Sequence, residues 1–240
     1  MGDGCVLMRR FWSETSVAEQ AGLFTILLDA KTLRLPNGDQ LAVPQRGLAE
    51  AIATEWQVAA LGGEIDATTL RLTSLTGQTQ LVIAPDPQAL ASALLARLRG
   101  DLLVYRADDP PELAALQQAA WQPWLDWAAS DLAVTLRATH QLIAHDPDPA
   151  TLASLERALA GFDPWALAAL DQLARSLSSL ILALAVLRGA LSLQQAHELA
   201  TLETRFQAEK WGVDPAITAR EAEIAADIDA AALFFRLTRP

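Results

Sequence analysis

Residues 177–191 read LSSLILALAVLRGAL, and no other stretch constrains the fold of this chain as strongly. From Leu180 to Leu187 every residue is apolar. The run contains no Pro, and only Ile181 and Val186 are β-branched, so the pattern predicts a helix. A helix that is apolar all round has no face to offer water and must be buried on every side. Arg188 and Gly189 stop it well short of the roughly 20 apolar residues that a bilayer span requires. The expectation is a core helix with other helices wrapped around it.

The 240 residues suffice for one large domain or two small ones, either with a sizeable core. Apolar residues make up 52%, much of it Ala and Leu, which predicts a folded and helix-rich chain. The formal net charge is −11 and no cluster of Lys and Arg exists, which argues against nucleic acid and anionic membrane surfaces as partners. A single cysteine, Cys5, excludes an intrachain disulfide and a thiolate metal site. The first residues, MGDGCVLMRRFW, lack the apolar run of a signal peptide. The expectation is a cytoplasmic, bacterial protein with no membrane insertion.

The N-terminal third reads as a small antiparallel meander. Leu23–Leu28 (LFTILL) is a strand candidate, Asp29-Ala30 a turn, and Thr32 to Leu35 a second extended segment. Pro36-Asn37-Gly38-Asp39 is a strong turn signal before Leu41 to Val43. Leu48 to Leu61 has helical spacing and stops at Gly62-Gly63. In Thr68 to Ala84, Leu72, Leu75, Thr79 and Val82 fall on one helical face, which outweighs the strand propensity of TQLVIAP. Asp86-Pro87 starts a helix that runs to Gly100, and Leu102 to Arg106 reads as a short extended link. Beyond it helices dominate. One runs from Pro110-Pro111 towards Trp127 with a kink expected at Pro123. Others cover Thr151 to Leu159, Trp165 to Ala174, a helix opened by the Ser192/Gln195 capping box that carries Leu199, Leu202 and Phe206 and ends at Gly212, one starting at Asp214-Pro215, and Ala225 to Leu237. The fold class is α+β: a β-rich N-terminal domain with one or two helices over residues 1–85, followed by a mostly α-helical C-terminal domain over residues 86–240.

Motifs that carry chemistry are scarce. Gly62-Gly63 lacks the Lys-Ser/Thr ending of a phosphate loop, and no Gly-x-Ser-x-Gly elbow occurs. His140 and His145 are five apart without the acidic partner of a zincin helix, which leaves surface histidines as the simpler reading. Acidic pairs such as Asp227 and Asp229 read as solvated faces. Trp121, Trp124 and Trp127 step by three along a helix, which suits core anchoring, the alternative being an exposed patch for a protein partner.

Several segments, in order, resemble the α-subunit-specific assembly chaperones of F1-ATPase. Arg10-Phe11-Trp12 comes first, then Leu28-Asp29, Lys31, Leu35-Pro36, Val43-Pro44 and Leu48-Ala49. Ala53-Thr54-Glu55-Trp56-Gln57 is similar to the family's Ala-x-Glu-Trp box. Residues 101–107, DLLVYRA, resemble its DLLCYRA segment with Val104 in place of Cys. Trp121, Pro123 and Trp127 match W-x-P-x-x-x-W, and Ser179 to Val186 resembles SLVLALAV. Glu203, Gln207, Trp211 and Gly212 follow its acidic-x-x-x-Gln-x-x-x-Trp-Gly pattern. The chain departs from the family at Ser74 to Thr79 and at Thr204, where a second acid is common.

The resemblance implies a chaperone that acts in ATP synthase assembly, binding the free α subunit until it pairs with β. It implies no catalysis and no cofactor; no metal and no small-molecule substrate are expected either. A subunit destined for a ring exposes a partly apolar interface while unpaired, and a chaperone that covers it is displaced by the true neighbour through mass action. Glu203, Gln207 and Lys210 fall at i, i+4 and i+7 beside the Leu199, Leu202, Phe206 stripe. With Trp211 and Glu55 they are the expected partner-binding residues. Trp12, Trp56, Trp121 and Trp127 are expected to be structural. The competing reading is a hydrolase with paired carboxylates in an interdomain cleft, which requires two carboxylates in near contact. A groove lined with exposed Trp or Leu favours the chaperone.

Overall fold

A computed structural model describes residues 8–59, 64–141 and 145–239. The chain divides into two compact units. One ends at Pro85 and also takes in the chain from Leu233 on; the other is Asp86–Ala232. The fold is α+β, a small antiparallel sheet followed by a mostly helical region.

In the first unit, β1 (Met8–Arg9) precedes a hairpin of β2 (Thr15–Gln20) and β3 (Leu23–Leu28), in register from Thr15↔Leu28 to Gln20↔Leu23. Ala21 and Gly22, at φ +53° and +79°, form the two-residue left-handed turn that matches strand twist. Along its other edge β3 pairs with β4 (Lys31–Thr32) and β5 (Ala42–Val43). The sequence reading begins this sheet at Leu23 and misses β2. TSVAEQ carries only Val17 and Ala18 as apolar residues, because an edge strand needs little apolar content once its neighbour is buried.

Helix α1 (Arg46–Val58) lies on the sheet and buries Leu48, Ile52 and Trp56 among Ile26, Leu41 and Val43. Its predicted stop at Gly62-Gly63 lies outside the described residues. Instead, Arg10 closes the visible end: Nη1 donates to the carbonyls of Gln57 (2.8 Å) and Ala59 (3.0 Å), where a cation suits the helix dipole. Trp12 packs on Trp56 with ring centroids 5.1 Å apart. After β6 (Glu64–Ile65), which pairs with β1, comes α2 (Arg71–Gln78). It continues through a π turn at Thr79–Ile83. This is the helix that the spacing predicts, with one change of phase. The π turn adds a residue, so Ile83 is buried and Val82 exposed. Gly77, in the segment that departs from the family, is buried against Leu35; a Cβ there would sit 3.2 Å from Leu35 Cδ2.

In the second unit, α3 (Pro87–Arg97) is followed by one turn of 3₁₀ helix at Leu98–Gly100 and another at Leu102–Val104, where the sequence suggests an extended link. Helix α4 (Pro111–Leu132) passes through Pro123 as one element. The remaining helices are α5 (Pro149–Leu159), α6 (Pro164–Ser176), α7 (Leu180–Leu187), α8 (Leu193–Ala200), α9 (Leu202–Trp211) and α10 (Pro215–Leu237). Asp86, Asp148 and Asp163 each accept from the backbone N–H three residues on, so three Asp-Pro pairs start helices in the same way. The Ser192/Gln195 capping box is present. The reading of two helices after Asp214 is corrected to one continuous α10, since nothing between Pro215 and Leu237 breaks it. The stripe of Leu199, Leu202 and Phe206 is likewise divided between α8 and α9, at Thr201.

The apolar run is a core helix, shorter than 177–191. Ser178, at φ +51°, ends the preceding turn and Ser179 caps α7. Leu180 to Ala185 are all buried, packed by α4, α6 and α8. Each large side chain among them contributes about 1.5–3 kcal/mol. The N-terminus of α7 is held by Asp101, itself 1% exposed. Its oxygens accept from Leu180 N (2.8 Å), Ile181 N (3.2 Å), Ser179 Oγ (2.8 Å) and Leu103 N (3.1 Å). Burial pushes its carboxyl above the ordinary 3.8, against the pull of these four donors.

Two substitutions test this packing. Asp101→Ala orphans several buried donors and is expected to destabilise by on the order of 3–5 kcal/mol. Trp56→Ala opens a cavity against the sheet and is expected to cost about 3–5 kcal/mol. Both are read from urea midpoints at unchanged slope; a loss below about 1 kcal/mol for either would mean that its site relaxes without strain.

Candidate functional site

Helix α9 has one buried and one exposed face. Leu202 and Phe206 are buried, whereas Glu203, Gln207 and Lys210 are exposed on the far side. The i, i+4, i+7 stripe therefore exists as a surface. Lys210 Nζ lies over the Phe206 ring, 5.6 Å from its centroid.

Glu203 is held in place. The Gln117 amide donates to Glu203 Oε1 at 2.5 Å, while Gln117 Oε1 accepts from Ala107 N at 2.7 Å. Gln117 is fully buried, so an interior side chain sets the direction of a surface carboxylate. One α4 turn away, Trp121 is also fully buried and donates from Nε1 to Leu199 O at 3.0 Å. The Arg106 guanidinium stacks 5.2 Å from the Trp121 centroid and donates to the Leu103 and Tyr105 carbonyls. Trp124 and Trp127 make an edge contact at 6.2 Å and are half-buried.

Gly212 closes α9 at φ +91°, a backbone conformation open to glycine, and its N–H donates to Ala208 O. Two residues later Asp214 accepts from Ala216 N and α10 begins. At this junction the apolar side chains from the end of α9 to the first turn of α10 stay exposed. Trp211 is 75% exposed, Val213 71% and Ile217 41%. They line a groove of about 330 Å³ between α9 and the first turns of α10, together with Gln207, Asp214 and Glu221. Val213, Ile217 and Glu221 were not singled out by the sequence reading. The available signal was Trp-Gly-Val-Asp-Pro, a helix stop abutting a helix start.

Glu55 sits elsewhere, in the first unit. Its oxygens accept from Leu72 N (2.8 Å), Thr73 N (2.9 Å) and Thr73 Oγ1 (2.6 Å). They supply the start of α2, where Leu70 has no side-chain acceptor to offer. Trp56 Nε1 donates to the same Thr73 hydroxyl at 2.8 Å. The Glu-Trp pair thus joins α1 to α2. His140 is exposed and lies 3.0 Å from Asp108.

The family model described as ATP12 chaperone protein matches residues 9–129, so α9 and α10 follow the matched span. Mitochondrial protein atp12 of Schizosaccharomyces pombe is 28% identical over 220 residues, 85% of this chain and 74% of that protein. Among solved structures, Atp12 from Paracoccus denitrificans has a TM-score of 0.84 at 38% identity, covering 96% of this chain and 98% of its own. Atu1473 from Agrobacterium tumefaciens has a TM-score of 0.89 at 34% identity, covering 97% and 87%.

Glu55 yields a prediction in pH. Burial outweighs its three hydrogen bonds and pushes its carboxyl up from the ordinary 4.5. The folded state then binds the proton more tightly than the unfolded state. Its stabilising contribution is full below the unfolded value and is lost as pH rises through the folded one. The stability of the wild type relative to Glu55→Gln is expected to be greater near about pH 4 than near about pH 7. A difference that grows in the opposite direction would show that the hydrogen bonds dominate.

Proposed function

The chain belongs to the ATP12 chaperone family, and from that premise we propose that it assists ATP synthase assembly by holding the free α subunit of F1-ATPase until β replaces it. The observation that carries this reading is the α9 surface: a carboxylate aimed outward by a buried glutamine, next to exposed Trp211 and the apolar groove. An exposed aromatic beside fixed polar groups suits a protein partner, since aromatic anchors dominate interface energetics. In our reading Glu203, Gln207, Lys210 and Trp211 contact the client. Glu55 is assigned to holding α2, because its oxygens already accept three hydrogen bonds from that helix.

We read the protein as non-catalytic and as acting in the bacterial cytoplasm. Among the described residues burial pushes two carboxyls upward, Glu55 and Asp101; they belong to different units, and each holds a helix start. Neither forms the close acidic pair that the hydrolase reading requires. No helix among the described residues is long and apolar enough to cross a membrane.

Glu203→Gln is the discriminating variant, because it removes the charge yet keeps an acceptor for Gln117. Its melting temperature is expected to match the wild type, while its affinity for isolated α subunit falls about tenfold, the loss of one charge-assisted contact worth about 1.4 kcal/mol. Glu203→Lys reverses the charge and is expected to bind more weakly still. Unchanged binding by both variants would remove Glu203 from the interface.

A further inference from the structure

We propose that the α9–α10 groove is the seat for a two-part anchor on the client: one apolar side chain followed closely by one Lys or Arg. The inference rests on the chaperone reading above and deepens it.

The groove's size argues for side chains rather than a whole helix. At about 330 Å³ it lies at the lower end of the range for ligand pockets. Its apolar wall is Trp211, Val213 and Ile217, which are three of the eight exposed large hydrophobic side chains among the described residues, gathered within seven positions. Covering them removes apolar surface from water, which favours association.

The charged part is Glu221, on the first turns of α10. It lines the groove, and its Oε1 is shielded from water without a hydrogen-bond partner among the described residues. A carboxylate half deprived of solvent and given no donor in return is costly, and a cation brought to it recovers that cost. Asp214 adds a second negative charge. The groove's own cation, Arg205, is turned to the Glu198 carbonyl, to which Nη2 donates at 2.6 Å, and makes no ion pair with Glu221. Charge therefore selects a basic side chain, and the apolar wall selects its neighbour.

The test measures binding of isolated α subunit to the full chain carrying Glu221→Gln, Val213→Ser or, as a surface control, Glu19→Gln. A benzoylphenylalanine at Val213 maps the contact by cross-linking. The expected result is about tenfold weaker binding for each groove variant at unchanged melting temperature, wild-type binding for the control, and a cross-link to a client peptide with Lys or Arg beside an apolar residue. If the wild type binds but the groove variants bind equally well, or the cross-linked peptide carries no cation, the anchor is overturned and the chaperone reading stands. If the wild type does not bind α at all, the chaperone reading falls and the anchor with it.

Discussion

Asp101 places a carboxylate in the interior of the helical unit, at the N-terminus of the most apolar helix in the chain. Alone there it would be prohibitive, because an ion taken out of water costs many kcal/mol unless its lone pairs are met. Four donors meet them, two from the first turn of α7. The same contact ties the start of the 101–107 segment to α7, and further hydrogen bonds leave from that segment. Leu102 N donates to Ser178 O, and Val104 and Arg106 exchange backbone hydrogen bonds with Thr139. Ala107 N holds Gln117, and Gln117 holds Glu203. Hydrogen bonds joined through the 101–107 backbone thus link the core helix to the α9 surface.

The first unit uses the same device with different residues. Glu55 completes the start of α2, and Arg10 completes the end of α1, each with the sign that the helix dipole favours. Charged members of the most recognisable sequence boxes are therefore concerned with helix ends. On α9 and at the start of α10 the charges obey the same rule: Glu203 stands in the first turn of α9, Lys210 in its last, and Asp214 accepts from Ala216 N where α10 begins.

Much of this was legible in the residues. The eight apolar positions 180–187, the Asp-Pro helix starts, the Ser192/Gln195 box and the turn at 36–39 each carry their own local physics. What was not legible depends on contacts far apart in sequence. Asp101 and Ser179 stand in separate boxes, and nothing local says that they touch. Glu55 looks like any exposed helical acid until Thr73 is brought beside it. The strand Thr15–Gln20 is too polar to announce itself, and the π turn that exchanges Val82 for Ile83 has no compositional mark. At the site, the α9 stripe of Glu203, Gln207 and Lys210 was readable from spacing. The groove was not, because it exists only once Gly212 turns α10 back towards α9.

We propose that this protein keeps an unassembled α subunit in solution and yields it to β. Co-expression with the F1-ATPase α subunit in the absence of β, followed by size-exclusion chromatography, tests it most directly. Soluble α is expected to co-elute with this chain and to leave it when β is added. Insoluble α with no complex would mean that this protein does not hold the free α subunit.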